Sequence, residues 1–326
     1  MPSRATTVAD KVISTSSRTR FLAHIKSLRP RQWTKNLVVF AVPLFAFSIS
    51  LPSFLSASLA FVLFCCASSS FYLINDVADV EADRQHPVKC KRPIAAGRVK
   101  VRTAIAMAVM LLSSALIGGW LTAPALGVTL IAYSLLQVAY NLKLKRTPIL
   151  DIIAIAAGFV LRASAGGAAI GIAPSVWFLL CTGMLALFLG VEKRKAELRL
   201  LQERGGKTRS VLKRYSLPLL TRMESTVTTG ALMSYALWSS GPQVNGASTP
   251  WMMLTFPFVL YGIFRYQLLS DLKVASSEDQ ANPESEERAE RPEEVLLTDK
   301  PILFTVVSWI VTIFLILWLK HQGVIA

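Results

Sequence analysis

Nine stretches of this chain reach or approach the length of about 20 apolar helical residues that crosses a hydrocarbon core, and that repetition excludes an ordinary water-soluble fold. They run near 36–51, 54–74, 103–121, 124–141, 149–170, 174–191, 223–240, 250–266 and 301–319. None alternates with the period of two that outer-membrane strands require, so the backbone must satisfy its hydrogen bonds inside helices. The expected fold is an all-α membrane protein, a bundle of nine transmembrane helices. The first apolar run follows a basic stretch without a small-residue cleavage pattern, so this span is expected to remain in the protein.

The net charge of +15 raises the question of nucleic acid, and the placement of the charge answers it. Of 35 Lys and Arg residues, all but Arg162, Lys320 and Arg265, the last at the edge of the eighth run, lie in the N-terminal tail or in the second, fourth, sixth and eighth connections. One-sided charge of this kind orients a protein in a bilayer. It places the N-terminus and the even connections in the cytoplasm and, with nine spans, the C-terminus outside the plasma (inner) membrane; no nucleic-acid partner is expected. Cys65, Cys66, Cys90 and Cys181 lack the spacing of a zinc site and fall in spans or a cytoplasmic connection, which assigns them to packing.

The connections differ in kind. Those on the outer side, around Pro52, Pro124 and Pro174, are a few residues long, whereas 76–102, 192–222 and 267–300 are long and polar. Chemistry is therefore expected at a cavity opening to the cytoplasmic side. Residues 1–27 read as a flexible basic tail, 28–320 as one membrane domain containing a mobile acidic loop at 274–294, and 321–326 as a C-terminal tail.

The sharpest motif is NDVADVEAD at 75–83, directly after the second span. At about 100° per residue, Asp76, Asp79 and Asp83 fall on one helix face, with Asn75 beside them. Converging carboxylates repel one another unless a cation neutralises them, and Mg²⁺, or Mn²⁺ in its place, prefers one or two carboxylates together with phosphate oxygens. A diphosphate substrate follows, for which the metal would polarise the leaving group. The competing reading is a solvated helix end, against which stand four polar groups so spaced at the mouth of a bundle.

Basic groups surround this motif. LRPRQWTKN at 28–36 carries Arg29, Arg31 and Lys35 around Trp33; it reads equally as a phosphate clamp or as an interfacial anchor. Arg84, Lys89, Lys91 and Arg92 follow the acids closely, as a lid gripping phosphates would, or as a plain inner-side loop. Tyr140, Lys143, Lys145 and Arg146 suit another phosphate cradle, with Asp151 entering the fifth span. Arg162 lies about three turns deeper on the same helix face, about 16 Å away at 1.5 Å per residue. A charge at that depth must face a cavity or a partner. After the sixth span, Glu192 and Glu197 flank Lys193 and Arg194, as second-metal ligands or as ion partners of the cations.

Together these motifs resemble the UbiA superfamily of intramembrane transferases, whose first aspartate motif has the form NDxxDxxxD, here Asn75 to Asp83. Within it, RPRQWTKN, NDVADVEADRQHPVKCKRPIAAG, LKRTPILDIIAIAAGFVLRASAGG and EKRKAEL resemble the decaprenyl-phosphate phosphoribosyltransferases, over about Leu28 to Leu319. The resemblance implies a polyprenyl phosphate acceptor, a phosphoribosyl diphosphate donor and a Mg²⁺-assisted release of diphosphate. It implies that Asp76 and Asp79 hold metal with Asp83 in support, that Asn75 orients the diphosphate, and that Lys35, Arg92, Lys145, Lys193 and Arg194 bind phosphates. EKRKAE stands where aromatic prenyltransferases usually carry a second DxxxD, which favours a donor with an additional phosphate. Tyr140 departs from the YxxxK spacing of those enzymes. The alternatives are an aromatic or lipoquinone prenyltransferase using a polyprenyl diphosphate and, further off, a lipid transporter or flippase. The sequence leaves room for a homo-oligomer.

Overall fold

The computed structural model describes residues 17–48, 50–86, 88–204, 211–275 and 299–325. Among the described residues the regular structure is entirely helical. The helices are α1 (Ser17–Ser27), α2 (Ala41–Phe45), α3 (Leu51–Ala78), α4 (Val80–Arg84), α5 (Val101–Thr122), α6 (Pro124–Leu142), α7 (Leu150–Ile170), α8 (Val176–Arg204), α9 (Leu217–Ser239), α10 (Phe256–Ala275) and α11 (Lys300–His321). A long 3₁₀ segment, Pro30–Phe40, precedes α2. Apart from its first two residues, the acidic 274–294 stretch lies outside the described residues, as do 1–16 of the N-terminal tail. The rest of that tail is not irregular: α1 docks through Ala23 against Leu73, Ile94 and Val99.

Among the described residues, seven helices are long and apolar enough to cross a membrane: α3, α5, α6, α7, α8 to Arg199, a stretch from Pro250 into α10, and α11. They correspond to seven of the nine expected spans. The first expected span does not form one α-helix. It is divided into the last five residues of an 11-residue 3₁₀ helix, five of α-helix and a turn ahead of α3. Rises of about 2.0 and 1.5 Å per residue give this pair a length of about 30 Å. The seventh expected span is α9, 23 residues long. Its polar residues Glu224, Thr228, Ser234 and Ser239 are buried within the bundle, which lowers its hydropathy without exposing those groups to lipid.

Local sequence accounts for the helix ends. Ser50 caps α3 by accepting the Ser53 amide at 3.3 Å, with Pro52 in the first turn, where a missing N–H costs nothing. Extended Ala123 followed by Pro124 breaks α5 from α6 without a loop. Gly171, at φ 72°, closes α7 in the left-handed conformation that glycine adopts without penalty. The 3₁₀ segment lies against α7 because Gly166 has no side chain; a Cβ there would meet the Val39 carbonyl.

Val39, Phe64, Phe71, Leu126, Leu130 and Tyr133 form the core joining that segment to α3, α6 and α7. A second core joins Trp238, Met252, Ile313 and Leu317. Large apolar residues also line the outside, Leu121 at 80% and Phe304 at 74% exposure among them. With hydrocarbon as the outer solvent, such faces satisfy the same burial that water would oppose. The chain is an integral membrane protein.

Candidate active site

Asn75 and Asp76 occupy the last turn of α3. Asp79 sits at φ −96°, ψ 11°, slightly off helical values, and α4 resumes at Val80. The hydrogen-bond ladder nevertheless runs through the break, with the Asp79 amide donating to Asn75 O at 2.9 Å and the Asp83 amide to Asp79 O at 2.8 Å. Asp76 and Asp83, seven residues apart, thus stay on one face. Both are buried, at 3% and 4% exposure, while Asp79 at the break is half-buried.

Two arginines distant in sequence close on the buried pair. Arg92 Nη1 lies 3.1 Å from Asp76 Oδ1 and 2.6 Å from Asp83 Oδ2. Arg29 donates to the same Asp76 oxygen and lies over the Tyr72 ring, 5.0 Å from its centroid. Its backbone is left-handed at φ 55°, which costs a side-chain-bearing residue about 1–3 kcal/mol and persists only where the surroundings hold it. Here Ser69 does so. Its hydroxyl donates to Leu28 O at 2.9 Å and accepts the Trp33 indole at 3.0 Å. Lys145 completes the group, its ammonium donating to Asn75 Oδ1 at 3.3 Å.

This geometry corrects one expectation. The three aspartates do not converge on a common point: Asp76 and Asp83 are tied to guanidinium groups, and Asp79 enters neither pair. Among the described residues no three His, Cys, Asp or Glu stand close enough to hold a metal by themselves. The donor set is nonetheless entirely hard oxygen, which suits Mg²⁺ completed by substrate phosphate and water.

Arg162 is buried deep in α7 without a carboxylate partner. Its Nε donates to Asn36 Oδ1 at 2.7 Å, Nη1 to Gly158 O at 2.9 Å and Nη2 to Tyr133 Oη at 2.9 Å. The guanidinium lies over the Tyr133 ring, 4.8 Å from its centroid. Asn36 is held in turn by Cys65 and Ser68 of α3. A charge that insertion would penalise is accommodated by neutral acceptors and ring faces, and it joins the 3₁₀ segment to α6 and α7.

Asp151 belongs to a different network. Arg194 Nε donates to it at 2.8 Å and Nη1 to Glu197 at 2.5 Å, with Arg194 at 1% exposure. The Tyr215 hydroxyl donates to Asp151 Oδ1 at 2.7 Å and accepts the Ile149 amide at 2.6 Å. Burial drives the Tyr215 phenol well above the usual tyrosine range; the Ile149 amide opposes this and Asp151 adds to it. The hydroxyl therefore keeps its proton. Beside this network, Lys195 meets Glu192 at 3.3 Å and also Glu224, which Gln267 binds at 2.8 Å. These contacts join α7, α8, α9 and α10 at one end of the bundle.

The sequence profile of the UbiA prenyltransferase family matches residues 37–282. The chain belongs to the UbiA prenyltransferase family. It is 37% identical to the decaprenyl-phosphate phosphoribosyltransferase of Mycolicibacterium smegmatis over 302 residues, 89% of this chain and 90% of the relative. To the protein of the same name from Corynebacterium glutamicum it is also 37% identical, over 90% of this chain and 86% of the relative. A UbiA homologue from Archaeoglobus fulgidus, solved with DMAPP and Mg²⁺, superposes with a TM-score of 0.67 at 18% identity, covering 90% of this chain and 98% of that one. At that identity the likeness speaks for the fold.

On this UbiA fold, Asn75, Asp76, Asp83, Arg29, Arg92 and Lys145 are brought together, as the sequence led one to expect. Lys35 lies half-buried in the 3₁₀ segment, Lys89 half-buried after α4, Lys193 half-buried on α8, and Lys143 exposed beyond α6. Half-buried Tyr140 is close enough to Arg194 to act on it electrostatically. Arg194 bonds Asp151 and Glu197 through Nε and Nη1, and Arg162 bonds its neutral partners, so Arg162 and Asp151 belong to separate networks. Sequence reasoning missed Tyr133, Tyr215, Glu224 and Gln267. For Tyr133 and Glu224 a signal existed, a polar group in an apolar helix that requires a partner; for Tyr215 no local pattern announces a bond to a turn 66 positions earlier.

Proposed function

We propose that this chain transfers the 5-phosphoribosyl group from phosphoribosyl diphosphate to a polyprenyl phosphate of decaprenyl type and releases diphosphate. A phosphate oxygen of the lipid attacks C1 of the sugar, the C1–O bond to diphosphate breaks, and phosphoribosyl-phosphoryl-polyprenol results, a precursor for cell-envelope arabinose. The observation that carries this reading is the joining of Asn75, Asp76 and Asp83 to Arg29, Arg92 and Lys145 at the end of α3. It occurs in a chain that matches the two named phosphoribosyltransferases over about nine-tenths of its length.

Asp76, Asp79 and Asp83, with Asn75, would hold Mg²⁺, or Mn²⁺, which when bound neutralises the diphosphate and makes it a better leaving group. Arg29, Arg92 and Lys145 supply positive charge and directed N–H groups for the phosphate oxygens left over. Lys35, Lys89, Lys143 and Lys193 add to the positive field that draws an anionic donor inward. Tyr140 borders the site. Arg162 and Arg194 act by fixing the helices that carry these groups.

The 3₁₀–α2 segment and α9 raise the seven apolar helices to nine crossings, with the cavity, the acid motif and the N-terminus on the cytoplasmic side of the plasma membrane and the C-terminus outside. We place the transferase domain at 28–320, and the bundle is free to form a homo-oligomer.

Purified protein given Mg²⁺, a polyprenyl phosphate and labelled phosphoribosyl diphosphate should produce a labelled lipid and free diphosphate. Transfer only from a prenyl diphosphate to an aromatic acid would overturn the reading. Asp76→Asn and Asp79→Asn should each lower turnover by about 10³-fold or more, on the scale of losing transition-state charge stabilisation, with insertion unaffected. Full activity in both variants would remove the metal assignment.

A further inference from the structure

The connection from α6 to α7 runs from Lys143 to Ile149 and includes Lys145, the one cation of this stretch that reaches the acid motif, at Asn75 Oδ1. It ends in a conformation that its residue resists. Ile149 has φ 70° and ψ −50°, where a β-branched side chain is a steric outlier. Such a backbone persists only if its surroundings hold it, and here both sides of the residue are pinned. The Ile149 amide donates to the Tyr215 hydroxyl at 2.6 Å, and the Ile149 carbonyl accepts the amides of Ile152 at 3.1 Å and Ile153 at 2.9 Å.

Tyr215 is itself held from the other side. Its hydroxyl has one proton, which goes to Asp151 at 2.7 Å, and Asp151 is fixed by Arg194, which Glu197 fixes in turn. The turn thus takes its position from α8 through four buried or half-buried side chains. From Ile149 back to Lys145 the chain is short and internally bonded: Thr147 N donates to Leu144 O, Arg146 N to Lys143 O, and Asp151 N to Thr147 O, all at 3.0 or 3.1 Å. A relaxed Ile149 would displace that unit as a whole.

Resting on the function proposed above, we infer that Tyr215 is a positioning residue for the donor: its hydroxyl holds the strained Ile149 turn so that Lys145 stands against Asn75, where the donor phosphates bind. It touches no reacting atom and acts through Lys145.

The test is steady-state kinetics of Y215F in detergent or vesicles, with both substrates varied. The KM for phosphoribosyl diphosphate should rise about tenfold, the weight of one hydrogen bond, with kcat within about twofold and the KM for polyprenyl phosphate unchanged. Placed in K145A, Y215F should add less than about twofold, because coupled residues do not add. I149G should bring Y215F back toward the wild-type donor KM, since glycine has no reason to leave φ 70°. If Y215F alone is not recovered folded, Y215F/I149G carries the test: a donor KM near wild type supports the inference, and one as high as that of K145A refutes it. An unchanged donor KM in Y215F, or effects that multiply with K145A, also refutes it. A wild-type chain that transfers nothing from phosphoribosyl diphosphate would instead sink the function itself, whatever Tyr215 does.

Discussion

Arg92 holds two buried carboxylates with a single nitrogen, and the consequences of removing it follow from what remains. Asp76 and Asp83 would face each other at low exposure, with Arg29 left on Asp76. Breaking a buried pair from one side costs about 3–5 kcal/mol in general; Arg92, 28% exposed, belongs at the lower end. We expect R92A to cut donor turnover by about 100-fold or more and R92K by about tenfold or more, because an ammonium cannot span two carboxylates as a guanidinium does. Turnover of R92K at the wild-type level would show that charge alone suffices. At this scale the acids were legible, because i, i+7 on a helix is a local rule. The two arginines were legible only as nearby charge. That Arg29 and Arg92 meet on one oxygen depends on how the 3₁₀ segment and the loop after α4 pack on α3.

Helix by helix, the buried charges separate into two kinds. Arg194 neutralises Asp151 and Glu197, so R194M leaves two buried carboxylates without their cation. Arg162 has only neutral acceptors, so R162M leaves no orphaned charge. R194M should therefore destabilise by about 3–5 kcal/mol and R162M by about 1–3 kcal/mol, read as the order of their melting temperatures in detergent. The reverse order would show that the neutral hub around Arg162 bears more of the fold than the ionic one. From the sequence Arg162 looked the more telling, since depth in an apolar run is visible there. Arg194 read as a phosphate-binding cation of a connection, whereas α8 continues from Glu192 to Arg204, about three and a half turns beyond its apolar part, and carries EKRKAE into the bundle.

For the molecule as a whole, the count of crossings decides where the ends lie. Among the described residues, seven helices are long and apolar enough to cross. Of the other two proposed crossings, the 3₁₀–α2 pair is about 30 Å long, and α9 buries Glu224, Thr228, Ser234 and Ser239 while its exposed Ser225, Thr226 and Thr229 hydroxyls bond the carbonyls four residues back. On the proposed nine crossings the termini lie on opposite sides, so a reporter fused before Met1 should be active only in the cytoplasm and one fused after Ala326 only outside. Both on the same side would mean that one of these two segments does not cross.

Apolar length, one-sided charge and the spacing of NDVADVEAD are properties of contiguous residues. They sufficed for an all-helical membrane protein, and they pointed to the acids at the end of α3 as its candidate site. Which cation meets which acid, which neutral groups receive Arg162, and the capture of the Ile149 turn by Tyr215 join residues up to 126 positions apart. A burial pattern can say that a charge needs a partner, because desolvation is a cost to each group separately. It cannot say which partner, because that is settled only when the packed helices set the distances.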